Sequence, residues 1–170
     1  MPGSESDPVQ LDPFQEVTEV NWSLRPVLVI DYGWAGTDAR DLETVTTVSG
    51  FEPVGFGYGD SLYHEGRSAI IWSGDLGSAE TVEVWGREIQ KMAGVGTVSI
   101  TCAAHWDDLE SDPAEVLLTV VSYIKSRPPF TYGEERQRYD TSKIISNAFN
   151  SPEAIAQVEF DLRTGRFTVS

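Results

Sequence analysis

DPAEVLLTVVSYIKS, residues 112–126, carries the strongest secondary-structure signal in the sequence. Asp112, Pro113 and Glu115 stand where the N-cap, first and third positions of a helix would fall. Proline loses nothing at such a place, because first-turn N–H groups have no intrahelical partner. Carboxylates there favour the positive end of the helix dipole. Leu117, Val120, Val121 and Ile124 then share one helical face, Lys125 and Arg127 sit at the negative end, and Pro128-Pro129 stop the run. The spacing predicts an amphipathic helix.

A second helix is expected in SAETVEVWGREIQKMAG, residues 78–94, where Val82, Trp85, Ile89 and Met92 fall on one face between Ser78 and Gly94 as caps. Gly86 costs such a helix about 1 kcal/mol against alanine, and Val-Glu-Val also fits the alternation of a strand. Around these lie strand-like runs. PVLVIDY (26–32) is continuously apolar, as a strand buried on both faces would be. TVTTVSGF (44–51) is rich in β-branched residues. SAIIWSG (68–74) and GTVSITCAAHW (96–106) read the same way. VEFDL turns through RTG into RFTVS, a closing hairpin in which Gly165 supplies the positive φ of a short turn.

Strands and helices mix without a strict β-α-β-α rhythm. The fold class expected is α+β: one mixed β-sheet with two main helices packed on it, an extended N-terminal arm and a C-terminal β-hairpin. Residues 1–13, MPGSESDPVQLDP, read as the flexible arm. Residues 14–170 read as a single domain with a long loop at 127–143.

The charge narrows the function. Asp and Glu number 27 against 12 Lys and Arg, a net charge of -15, and only three of the twelve bases are lysines. Such a field repels nucleic-acid phosphates and anionic lipid, so neither direct sequence-specific nucleic-acid binding nor a membrane partner is expected. No run of about 20 apolar residues is present to span a bilayer. The N-terminus lacks the basic start and apolar core of a signal peptide, which points to a protein inside the cell or in a particle. The acids are spread evenly, as on a salt-adapted surface. A nucleic-acid mimic would concentrate them.

Chemistry-bearing patterns are sparse. GFGYGD, residues 55–60, has no lysine after its glycines and no helix start, so it fits neither a phosphate loop nor a dinucleotide fingerprint. It reads as a strand-to-strand connection that leaves Phe56 and Tyr58 to pack or to touch a neighbour. Cys102 and His105, three apart on a strand, would point to opposite faces, and with distant His64 they make no metal set. WDDLESD (106–112) gathers four acids without the calcium-loop pattern and reads as a helix-capping loop. Asp31, Asp60 and Asp75 each end an apolar run, as turn residues do. No catalytic, cofactor or metal site is expected. The one interaction-like cluster is RPPFTYGEERQRY, where Arg127, Arg136 and Arg138 mix with Phe130, Tyr132 and Tyr139; arginine and aromatics are enriched at interfaces. With Phe56 and Tyr58 these are the candidate interface residues.

The order of elements over residues 68–170 resembles the tail terminator proteins of long-tailed viruses. The residues that carry it are SAIIWSG, the stretch through VEVWGREI, GTVSITCAAHW, DPAEVLLTVVSYIKS and the closing VEFDL–GRFTVS pair. The resemblance implies a non-enzymatic virion protein, assembled in the host cytoplasm, whose partners are itself, in a hexameric ring, and neighbouring tail or neck proteins. The acidic, lysine-poor composition suits a virus of a salt-loving host. The alternative is an acidic binding protein of the immunity type that blocks a basic nucleic-acid-handling partner.

Overall fold

The computed structural model describes residues 26–34, 41–64, 66–74, 77–93, 96–107, 113–124, 134–146 and 151–170. Within them the chain forms eleven strands and one short helix. The order is β1 (Leu28–Trp34), β2 (Leu42–Val48), β3 (Val54–Gly55), β4 (Ser61–His64), β5 (Arg67–Trp72), β6 (Ala79–Val84), α1 (Gly86–Ala93), β7 (Thr97–Trp106), β8 (Ala114–Ile124), β9 (Glu134–Ile145), β10 (Glu153–Asp161) and β11 (Phe167–Val169). They make two antiparallel sheets. One has six strands in the order β4-β5-β6-β1-β8-β9, the other five in the order β11-β10-β7-β2-β3. The architecture is a β-sandwich, and the expected α+β fold with two main helices on one mixed sheet is overturned.

The correction begins at DPAEVLLTVVSYIKS. Residues 114–124 are not a helix but β8, paired on one side with β1 and on the other with β9. Val116, Leu118, Val120 and Ser122 point inward and are buried, while Leu117 between them is 54% exposed. Five of the eleven residues are β-branched, which stiffens them against a helix and suits a pleated surface. The helical face Leu117, Val120, Val121, Ile124 arose because both sides of the strand carry apolar residues. Any three such positions at spacings of three and four then satisfy a helical period as well. Pro113 stands just before the strand, a place where its missing N–H breaks no ladder bond.

The second expected helix splits in two. Ala79–Val84 is β6, in which Glu80, Val82 and Val84 face the core, and the helix begins only at Gly86. The glycine that looked like a defect inside a helix marks its start. Ile89 of α1 is fully buried, and Glu88 beside it lies within ion-pair distance of Arg67 and Lys91, 3.8 Å from each.

The inward rows of both sheets form one continuous core. β1 contributes Leu28, Ile30, Tyr32 and Trp34, and β7 contributes Val98, Ile100, Cys102, Ala104 and Trp106. The closing hairpin stands as read: Val158 pairs with Val169 and Phe160 with Phe167, and Gly165 has φ +69°. Of the long loop expected at 127–143, Glu134 onward belongs to β9 instead, because its backbone pairs with β8 at the edge of the six-stranded sheet, where no apolar pattern is required. Residues 127–133 and the expected arm at 1–13 lie outside the described residues.

The Gly-aromatic stretch carries the chain from the five-stranded sheet (β3) to the six-stranded one (β4). Gly55 has φ +130°, and a Cβ built on it would stand 2.0 Å from the carbonyl oxygen of Thr44. Only glycine lets the chain pass so close to β2. The turn is closed by N–H bonds from Gly59 and Tyr58 to the carbonyl of Gly55.

Candidate interaction edge

The β8–β9 hairpin ends the six-stranded sheet, and no further strand pairs with β9 among the described residues. At twelve residues β9 is the longest strand among the described residues. A long exposed edge offers a row of backbone donors and acceptors to another strand, and most proteins shorten or cover such edges.

Register fixes which β9 side chains share a face. Arg138, Asp140, Ser142 and Ile144 lie opposite Val121, Thr119, Leu117 and Glu115, on the outer face of the sheet. Leu117 and Ile144 are diagonal neighbours there, and Ile144 is 64% exposed. Polar bonds frame this apolar pair. The Ser142 hydroxyl donates to Glu115 at 2.7 Å, the Thr119 hydroxyl donates to Asp140 at 2.7 Å, and Arg138 Nε donates to Asp140 at 3.0 Å. The Arg138 and Thr119 bonds hold the Asp140 carboxyl below its usual range. Gln137, Tyr139, Thr141 and Lys143 make the inner row, and Tyr139 is 43% exposed although it lies opposite the buried Val120.

That inner row also closes the sandwich. The Gln137 side-chain amide donates to the carbonyl of Phe167 at 2.8 Å, and its carbonyl accepts the Phe167 N–H at 3.1 Å. Lys143 Nζ donates to the carbonyl of Ala154 at 2.5 Å. Beside this seam lies an open groove of about 670 Å³ with Thr97, Glu159, Asp161 and Arg166 in its wall. Its carboxylates are already engaged. Ser99 and Gln157 donate to Glu159, and Arg163 donates to Asp161.

A second polar group lies sealed between the sheets. Glu80 is wholly buried and accepts from the Trp72 indole at 2.9 Å and from the Thr44 hydroxyl. Next to it the Tyr32 hydroxyl bonds Thr46 at 2.7 Å. Burial, then the neighbouring Cys102, pushes the Tyr32 phenol well above its ordinary range. Burial pushes the Cys102 thiol up to about 12, against a partly offsetting bond to Tyr32. Both groups therefore stay protonated, and with Glu80 they tie β6, β5, β2, β1 and β7 together. The arrangement is that of a core cross-link.

The structure places the sequence-picked residues unevenly. Phe56 and Tyr58 are 43% and 59% exposed at the crossover between the sheets, beyond β4 and so at the far side from β9. Arg138 and Tyr139 come together on β9, and the backbone of Arg136 belongs to the same strand. Arg127, Phe130 and Tyr132 lie outside the described residues, as does Asp75. Cys102 faces the core and His105 the opposite surface of β7, across from Glu43, as their spacing implied. Asp31 accepts from the Thr81 hydroxyl, and the carbonyl of Asp60 accepts the Trp72 N–H, both at 2.7 Å. Of WDDLESD only Trp106 and Asp107 are described, the first filling the core.

Sequence reasoning missed Glu80, Thr44 and Trp72, and also the exposed Leu117 and Ile144. Glu80 had a signal. In a strand reading of Glu80-Thr81-Val82-Glu83-Val84 it falls in the row of Val82 and Val84, an acid on an apolar face. Among known proteins, no family model matches the chain and no curated relative is found.

Proposed function

We propose that the protein is a non-enzymatic structural protein that assembles with copies of itself through the open edge of its six-stranded sheet. The observation that carries this reading is β9, a twelve-residue edge strand flanked by the exposed side chains of Leu117, Tyr139 and Ile144. Main-chain bonds along such an edge supply affinity, and the side chains beside it supply register and specificity. The setting proposed is a ring at the tail end or head–tail junction of a virus particle. That setting draws on the order of elements over 68–170, two of which are strand in whole or part where helices were expected.

Association has to overcome self-repulsion, since each copy carries a net charge of -15. Screening at high salt shortens the reach of that repulsion to a few ångströms. The test is size-exclusion chromatography with light scattering across protein concentration and from low to molar salt. The expected result is a mass of at least two chains of 18.7 kDa that grows with salt. A mass of one chain at every concentration and salt would overturn the reading.

A further inference from the structure

We infer that two copies join β9 to β9 in antiparallel register about a two-fold axis at Tyr139, making one continuous twelve-stranded sheet. This rests on the reading of the chain as a self-assembling protein and specifies how the edge is used: the two-fold pair closes on itself, so a ring would be built from such pairs through other contacts. Three observations carry it.

The first is the charge of the edge. In a chain of net charge -15, β9 is neutral: Glu134, Glu135 and Asp140 balance Arg136, Arg138 and Lys143. A quarter of the chain's basic residues thus lie in this one strand of twelve. The other edge strands, β3, β4 and β11, are uncharged but only two to four residues long; β9 is the long edge along which a second, equally acidic copy can approach with its charges balanced.

The second is the symmetry of its sequence. Residues directly opposite each other in an antiparallel pair project from the same face of the sheet. A two-fold that keeps both outer surfaces on one side therefore passes through a residue, never between two. An axis at Tyr139 sets Arg138 opposite Asp140 of the second copy, twice, and Gln137 opposite Thr141. Moving it by one residue sets Asp140 against Asp140 or Arg138 against Arg138. Like charges directly opposite destabilise a pair, and opposite charges stabilise it.

The third is exposure. The side chains of Arg138 and Asp140 are 53% and 58% exposed and bond each other along the strand at 3.0 Å. The same atoms can exchange that contact for the equivalent one across the axis without leaving a charge unpaired. Tyr139, 43% exposed, meets its own copy at the centre.

The experiment places a cysteine on the axis. In the proposed register the two Cα atoms at position 139 stand about 4.5–5.5 Å apart, within disulfide reach. Native Cys102 is sealed in the core and contributes nothing. Tyr139→Cys should give a covalent dimer on a non-reducing gel after mild oxidation, whereas Ser142→Cys, off the axis, should give none. Arg138→Asp should weaken association about tenfold through two like-charge pairs, as should Asp140→Arg. The exchange of both, Arg138→Asp with Asp140→Arg, should restore it to within about threefold of the wild type, since two opposite-charge pairs return. If the wild type is oligomeric by light scattering but Tyr139→Cys stays uncrosslinked, or the double exchange fails to restore binding, this register is wrong and self-assembly stands. If the wild type is a monomer throughout, both readings fall.

Discussion

β8 and β9 are neighbours paired along nearly their whole length, yet they share almost nothing in sequence. β8, AEVLLTVVSYI, is apolar on both sides because it lies between two strands and over the core. β9, EERQRYDTSKII, is polar and charge-balanced because one of its edges meets no strand. The sequence pattern of one predicts a helix and that of the other a loop. Position in the sheet, more than propensity, set the composition of each. The same residue types that make a strand interior make a helix face, and the same types that make a loop make a protected edge.

The contrast can be broken first where it is strongest. Leu118→Ala, on the buried row of β8, should lower unfolding free energy by about 3 kcal/mol in a urea titration, as buried leucines do. A loss under about 1 kcal/mol would mean that β8 does not bear on the core as described.

Acids offer a second comparison, one inside and one on the edge. Trp72→Phe removes a donor from buried Glu80 and should cost about 1–3 kcal/mol. Asp140→Asn, on the exposed edge, should lower the melting temperature of the isolated chain far less, because solvent screens its bonds to Arg138 and Thr119. Equal effects from the two would erase the distinction between a sealed network and a surface pair.

Titration sharpens it further. Folding raises the proton affinity of Tyr32 and Cys102, so above about pH 9 the unfolded chain binds fewer protons than the folded one. Stability is therefore fully present below that pH and falls as pH rises toward 12, by up to about 1.4 kcal/mol per pH unit for each group. Tyr32→Phe should flatten the alkaline limb of a denaturation-versus-pH series. Asp140 shifts the other way: its contribution is present above the usual carboxylate range and fades as pH falls through it. A comparably small effect is expected at the exposed Ile144→Ala, within about 0.5 kcal/mol for the single chain. Its consequence should appear instead as weaker association in light scattering.

Much of the strand content was legible where periodicity had only one meaning. Val158, Phe160 and Leu162 alternate with acids and make the C-terminal hairpin; Leu28, Ile30 and Tyr32 lie in a short run flanked by proline and glycine. The glycine connection was readable too, since no lysine or helix followed GFGYGD. The sheets themselves were not. Nothing local distinguishes 114–124 from a helix once both faces are apolar, and the charges of 134–145 carry no sign that a partner strand lies alongside. Glu80 was hidden for a third reason: its donors, Thr44 and Trp72, come from strands distant in sequence, and only the sandwich brings them together. Of the candidate edge, Arg138 and Tyr139 were visible as an arginine-aromatic cluster, but the partnership of Leu117 with Ile144 exists only through register.

Gln137 has a consequence for how the molecule breathes. A single side-chain amide, bonded to both main-chain groups of Phe167, substitutes for one rung of a ladder between the two sheets. The sandwich is thereby held at this edge by one side-chain stitch. Solvent exchange at the Phe167 amide then reports the parting of β9 from β11, whatever the rest of the core is doing. If copies meet along β9, slower exchange at that one amide, close to the end of the chain, becomes a measure of how long a neighbour stays.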